Sequence, residues 1–540
     1  MAPWSRPRPG AIAGRPSRSL ERGVALSLTA LAVVLHVEFA RHAGGLWRDE
    51  VNTVELAASP SLAELSRSLR YDGYPIAAPL LVRAWLATPW GHGDTGLRVL
   101  GFLIGLTVLA TIWIAARQLR CAAPLFSVAL IGLNAVAIRA TDSIRPHGPG
   151  LALLLLALAL IWRLLASPRL PLVVLAGVAA VSSVQFTYQN ALLLSGFGGA
   201  ALWLAARRRD ARAVAAIGIV CAAAAASLLP YAADLRAARD WNVVNQGPTS
   251  PAHLATMLAV AMGGGSAIAA GLWLAPLWLA AAATRGGRRT VPRSDLPRFA
   301  ALAAVASAGV FLLVLGTSRL PTQPWYYVPL LGPIALLLDA VIASAPGAAR
   351  RLLTVTAAAV IALALAVPGW GRVRERRTNV DLLARELERR AAPRDLILVA
   401  PWYAGVGFHH YYHGGAQWLT IPPLADLRLH RYDLLKSAMS GPDPMGPVLD
   451  TVARSLTAGG RVWLAGALPA PDPAHPPAAL QPAPGGPGGW NCDPYLRGWG
   501  QELSWFLAAH GSRAAAVPPL TAQPVNPLED LALGVVEGWR

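Results

Sequence analysis

Two adjacent carboxylates, Asp49 and Glu50, stand in the stretch Leu46-Trp-Arg-Asp-Glu-Val-Asn-Thr53, shortly after the first hydrophobic segment. A third acid follows in Asp72-Gly-Tyr-Pro75. Carboxylates beside lipid are costly, so acids at a membrane surface point to a task there. A carboxylate within reach of an attacking hydroxyl can take its proton. The competing reading is structural, with the acids paired to Arg48 or to another arginine of the same loop. Two further stretches carry matching chemistry. Arg139-Ala-Thr-Asp-Ser-Ile-Arg-Pro-His147 holds Arg139 and Arg145, whose planar forks suit a phosphate, together with Asp142. Thr317-Ser-Arg-Leu-Pro-Thr-Gln-Pro-Trp-Tyr-Tyr-Val-Pro329 joins Arg319 to Trp325, Tyr326 and Tyr327. Interfacial aromatic residues and snorkelling arginines are ordinary at membrane boundaries.

The elements that must hold these residues are membrane helices. The chain has 540 residues, of which 54% are hydrophobic and 14% charged, and its mean hydropathy is +0.44. Apolar runs fall near 24–40, 97–115, 122–140, 148–166, 170–186, 190–206, 213–231, 267–284, 298–316, 325–343 and 352–369. This composition predicts an all-α polytopic membrane bundle of about eleven transmembrane helices. The net charge of +18 is almost wholly arginine, Lys436 being the single lysine. The arginines sit in short gaps between runs, which marks orientation rather than nucleic-acid binding. With the N-terminus in the cytoplasm, the Arg-dense gaps at Arg117/Arg120, Arg163/Arg169, Arg207–Arg209, Arg285–Arg293 and Arg350/Arg351 all fall inside.

The first outer loop, 41–96, then holds two interfacial helices. One covers Ser61–Tyr71, with Leu62, Leu65 and Leu69 on one face. The other covers Ile76–Pro89, too short to span and interrupted by Arg83. Residues 1–22 read as a disordered cytoplasmic tail, 23–370 as the transmembrane domain, and 371–540 as an extracytoplasmic α/β domain. In the last, Asn379–Arg390 reads as a helix, Asp395–Ala400 and Arg461–Ala465 as buried strands, Leu468–Gly489 as a loop, Gln501–His510 as a helix and Leu531–Glu537 as a strand. No phosphate-binding glycine motif supports nucleotide binding.

Several residues read as structural. Cys121, Cys221 and Cys492 lie far apart and form neither a disulfide framework nor a zinc pattern. His409-His410-Tyr-Tyr-His413 lacks zinc spacing and reads as a surface loop. Tyr188-Gln-Asn190 sits at a span end, and His36 and Glu38 face the bundle interior or the interface.

Together the motifs resemble the GT-C membrane glycosyltransferases, in the branch of bacterial protein O-mannosyltransferases and of aminoarabinose and lipopolysaccharide-core sugar transferases. Trp47-Arg-Asp49-Glu50 resembles the first-loop W-x-D-E, and Asp72-Gly-Tyr-Pro75 the D-x-x-P that follows. Arg145-Pro-His147 is similar to an R-x-Y motif with His in place of Tyr. Trp325-Tyr326-Tyr327 is similar to an R-Y motif, with Trp where Arg is common. The resemblance implies an inverting glycosyltransferase in a bacterial inner membrane, moving a sugar from a polyprenyl-phosphate donor to an acceptor on the outer face. It implies Asp49 as base, with Glu50 orienting it or binding acceptor. Arg145 and His147, with Arg319 or Arg139, would serve the donor phosphate; Asp72 would hold the loop, and Asp142 would be a second acid. Tyr326 and Tyr327 would line the substrate site. No obligatory metal or other cofactor is implied. A lipid or sugar-lipid transporter, or a non-catalytic glycolipid-binding relative, would also explain the spans, but a transporter would not explain the acid pair or the outer domain.

Overall fold

The computed structural model describes residues 15–236, 250–264, 267–285, 295–318, 322–344, 348–472, 476–478, 480–483 and 491–540. Seven helices among them are long and apolar enough to cross a membrane: Ser19–His42, Gly93–Gln118, His147–Leu164, Ala211–Arg236, Leu296–Ser318, Pro324–Ala343 and Ala348–Val373. Shorter apolar helices, including Leu170–Phe186, Pro251–Gly263 and Leu274–Thr284, complete the bundle. The first helix, α1 (Arg15–His42), begins inside the segment expected to be a disordered tail, so Arg15–Arg22 is helical.

The segment 41–96, expected to be the first outer loop, folds into three helices, α2 (Arg48–Ala57), α3 (Leu62–Ser68) and α4 (Ala77–Leu86). Helix α2 was not anticipated. Its first turn contains Asp49 and Glu50, whose negative charge suits a helix N-terminus. Glu50 also accepts from the Trp47 amide at 3.2 Å, satisfying one of the free donors of that first turn. Val51, Val54 and Ala57 of α2 are buried in one cluster with Val82 of α4 and with Leu97, Leu100 and Ile104 of α5 (Gly93–Gln118). Burying a valine side chain such as Val51 or Val54 contributes about 1.5–3 kcal/mol, which fixes the acid pair to the bundle.

The apolar run expected as one span at 122–140 is broken. A short helix, α6 (Leu125–Ser127), passes into a π-turn at Val128–Gly132, and the chain restarts as α7 (Ala135–Thr141). Asn134 caps α7 by accepting from the Val136 amide at 2.9 Å. The early end of α7 frees residues 142–146 to form an irregular turn before α8 (His147–Leu164). That turn carries Ser143 and Arg145 into the outer end of the bundle.

Beyond the last span the chain builds a five-stranded sheet of order β2-β1-β3-β5-β4. Strands β1 (Leu396–Val399), β2 (Gln417–Thr420) and β3 (Arg461–Ala465) are parallel, with Leu396 opposite both Gln417 and Val462. Strands β4 (Gly511–Val517) and β5 (Leu533–Trp539) add an antiparallel edge. All four residues of β1 are buried, as a strand covered on both faces requires. The helices Val380–Arg390 and Asp493–His510 flank the sheet. Of the histidine cluster expected as a surface loop, only His413 lies in an exposed loop. His409 and His410 belong to the helix Ala404–Tyr411, and His410 meets Glu55 of α2 at 3.0 Å.

Candidate active site

Arg145 sits at the centre of the outer end. One guanidinium nitrogen donates to the Asp49 carbonyl at 3.0 Å and to Thr53 Oγ1 at 2.9 Å. The two terminal nitrogens together span both oxygens of Asp72 at 3.4 Å. Its charge lies 4.7 Å from the centre of the Tyr74 ring. The same side chain lines a cavity of about 410 Å³. Asp49, Asp72 and Arg145, named from three separate stretches of sequence, are therefore brought together.

Asp49 is the one acid of the group with an open side chain, 25% exposed. Burial alone would raise its pKa, but Arg145, then Arg48, His430 and Arg377 hold it below the usual aspartate range. Asp72 goes the other way, raised by burial and by the neighbouring Asp49 despite Arg145. The two carboxylates are thus pushed apart in basicity by their surroundings, the pattern that separates roles in acid–base sites. Arg145 is burdened by burial, yet Asp72 and Asp49 outweigh that and raise its pKa. Tyr74 is raised well above its ordinary value by burial and stays a phenol.

Glu50 faces a different environment. It is fully buried and receives Arg98 at 2.8 Å, the Ile144 amide at 3.1 Å and the Trp47 amide at 3.2 Å. Arg98 also donates to the carbonyls of Gly44 and Gly45. Glu50 therefore ties α2, α5 and the turn before α8 into one unit. Asp142 is likewise buried, and His36 of α1 lies 2.7 Å from both its oxygens. Tyr327 is buried beside Phe311 and within hydrogen-bond distance of Thr322, at 3.0 Å. Asn190 is bound to Gly150 and Ser183 inside the bundle, and Glu38 pairs with Arg374 and His42. Arg319 lies outside the described residues.

The cavity is lined by the apolar side chains of Ala135, Val136, Ala140 and Val260 and by Arg139, Arg145, Arg372, Arg377 and Glu375. Arg139 is engaged by Glu375 and by the Arg372 carbonyl. Four residues that line the cavity each keep one fully buried polar atom with no hydrogen-bond partner among the described residues: Trp47 Nε1, Ser143 Oγ, His147 Nδ1 and Arg377 Nε. Leaving such atoms unpaired costs about 1–3 kcal/mol each. Trp47 and Trp325 meet edge to face at 5.6 Å, and Arg377 stacks 4.4 Å from the Trp47 ring. Tyr326 lies 6.5 Å from His147, whose Nε2 is 3.3 Å from the Tyr74 hydroxyl.

Arg377 is the main residue that sequence reading missed. Burial lowers its pKa to about 10, so it keeps its charge at neutral pH. A signal for it existed. Arg372, Arg374, Arg376 and Arg377 crowd the end of the last span, on the side expected from the sequence to be outer, where arginine is disfavoured.

The C-terminal segment closes the other side of Asp49. His430 Nε2 lies 4.0 Å from Asp49 Oδ1, and the His430 amide donates to buried Asn52 at 2.9 Å. Burial, opposed by Asp49, lowers the His430 pKa to about 4, so it is neutral near pH 7. Arg48 packs 4.2 Å from the Tyr403 ring and binds Glu529 at 3.2 Å. Asp49 does not itself line the cavity, whereas Arg145, which donates to its backbone carbonyl, does, and the Asp49 carboxylate lies near His430. Among the described residues no group of three or more His, Cys, Asp or Glu is arranged to hold a metal ion.

No family model matches the chain, and no curated protein matches it significantly. Among solved structures, it is similar to ArnT from Cupriavidus metallidurans bound to undecaprenyl phosphate. That likeness has 16% identity and a TM-score of 0.49, over 82% of this chain and 93% of that one. It is also similar to the Archaeoglobus fulgidus oligosaccharyltransferase in complex with Zn and sulfate, at 10% identity and a TM-score of 0.47, over 82% of this chain and 68% of that one.

Proposed function

We propose that the chain is an inverting glycosyltransferase that takes a sugar from a polyprenyl-phosphate donor to an acceptor at the outer face of the membrane. The observation that carries this reading is Arg145. Its guanidinium donates to the backbone carbonyl of Asp49, whose own side chain is partly open, and lines a cavity that also holds Arg139, Arg372 and Arg377. A lipid phosphate needs cations as it departs, and an acceptor hydroxyl needs a base as it attacks. Arg145 is adjacent to the residue that would meet the second need and lines the cavity that would meet the first.

Asp49 takes the proton of the acceptor hydroxyl while that oxygen attacks the anomeric carbon. The bond from that carbon to the donor phosphate breaks, and the electron pair leaves on the phosphate oxygen. Arg145 and Arg377 neutralise the charge that develops there, and Trp47, Ser143 and His147 offer further polar contacts. A single displacement inverts the anomeric centre and needs no covalent intermediate. Glu50 and Asp142 position rather than react, since their oxygens are occupied inside the bundle. Asp72 holds Arg145 in place. The C-terminal segment, through His430, meets the acceptor side.

The reading is tested by supplying polyprenyl-phosphate-linked sugars to purified protein and measuring release of polyprenyl phosphate, with Asp49→Asn in parallel. Release that depends on Asp49 supports it. Equal release by both proteins, or movement of intact donor across vesicles without bond cleavage, rejects it.

A further inference from the structure

A second basic concavity lies at the opposite end of the bundle. Helix α1 runs from Arg22 there to His42 beside the outer segments, roughly 30 Å at the rise of an α-helix. The pocket, about 340 Å³, is lined by Arg22 of α1, Arg117 and Arg120 at the end of α5, and Arg350 and Arg351 of the helix Ala348–Val373. These arginines come from three separated parts of the sequence. A bias toward positive charge at one membrane face would place arginines in each gap, but it does not require three gaps to converge on one hollow.

The charges in the hollow do not cancel. Its two acidic lining residues are Glu21 and Asp339, against five guanidiniums. Glu21 lies 3.9 Å from Arg351. Asp339 is buried and accepts from the amides of Phe126 and Ser127 and from the Ser127 hydroxyl, at 2.7 to 2.9 Å. Arg22 and Arg350 lean on backbone carbonyls at 3.3 and 3.5 Å. Arg22, Arg117 and Arg120 are exposed. The walls between them, Ala122, Ala123, Leu125, Ile342 and Ala343, are apolar. A positively charged hollow between spans, with apolar walls at headgroup depth, suits the phosphodiester of an anionic lipid.

We infer that this pocket binds the headgroup of an anionic phospholipid in the leaflet opposite the candidate active site, with Arg117, Arg120 and Arg350 gripping its phosphate. The site is independent of the transferase reading, because none of its residues takes part in that chemistry.

The test uses full-length protein in mild detergent, with native mass spectrometry to follow bound cardiolipin, phosphatidylglycerol and phosphatidylcholine. Wild type should retain the two anionic lipids in preference to phosphatidylcholine. Arg117→Gln and Arg120→Gln should each weaken cardiolipin retention roughly fivefold. Arg207→Gln and Arg212→Gln, exposed at the same end but outside the pocket, should leave it unchanged. Three results would overturn the inference: no preference for anionic lipid, equal losses from all four variants, or displacement of the lipid by millimolar inorganic phosphate, which would mark a soluble-anion site. The changed side chains are exposed, and an unaltered melting temperature verifies folding.

Discussion

Arg377 stacks 4.4 Å from the ring of Trp47, and Trp47 in turn meets Trp325 edge to face at 5.6 Å. The motif position where an arginine would be expected by resemblance is thus filled by a tryptophan, while a guanidinium from beyond the last span reaches the same cavity. If Arg377 supplies the cation that Trp325 does not, Arg377→Ala should lower transfer by roughly a hundredfold and weaken binding of polyprenyl phosphate. Adding Trp325→Arg in that background should recover part of the loss. Donor binding measured on both proteins checks this, and no recovery would show that the two positions do not serve one phosphate.

Asp49→Asn should reduce transfer by roughly a hundredfold to ten-thousandfold, the range for loss of a general base. Donor binding should persist, because Arg145 contacts the backbone carbonyl of residue 49 rather than its carboxylate. Comparing turnover with donor affinity separates these outcomes.

Glu50→Ala should act on stability rather than on the chemical step. It strands Arg98, whose partners otherwise include the Gly44 and Gly45 carbonyls, in a buried site. Breaking one half of a buried ion pair costs about 3–5 kcal/mol. The expected result is a lowered melting temperature and poor recovery of folded protein. Arg98→Met added to Glu50→Leu should restore more stability than either single change, by removing both charges together.

The pH dependence follows from two depressed groups. Asp49 stays ionised below the ordinary aspartate value, so transfer should be nearly flat between pH 7 and about 5. His430 is shifted from an unfolded value near 6.5 down to about 4. A lowered folded value means that the unfolded chain takes up the proton first. The stability His430 contributes is therefore fully present above about pH 6.5 and is lost as pH falls toward about 4. His430→Gln should flatten the melting-temperature profile across that window, and an unchanged slope would assign the acid sensitivity elsewhere.

Asn52→Ala should loosen the seat of the C-terminal segment on α2, since the buried Asn52 oxygen accepts from the His430 amide at 2.9 Å. Transfer should fall while polyprenyl-phosphate binding is retained, because Asn52 lies away from the cavity. Limited proteolysis near residue 430, read beside activity, checks this.

The sequence by itself determined the membrane bundle, the helices at Leu62–Ser68 and Ala77–Leu86, and the β1 and β3 strands. Those features depend on local hydrophobic run length and periodicity, which are written along the chain. It also pointed to Asp49, Asp72 and Arg145, because charge at an apolar boundary is conspicuous wherever it occurs. The tertiary structure alone decided which carboxylate is open and which is locked. Asp49 and Glu50 are adjacent and chemically alike, but successive helical residues point about 100° apart, so one meets Arg98 in the interior and the other looks toward His430. It also decided that Asp142 turns to His36, that Arg377 arrives from beyond the last span, and that Asn134 interrupts an apolar run that reads as continuous. Each of those outcomes rests on contacts between distant segments, which no local pattern encodes.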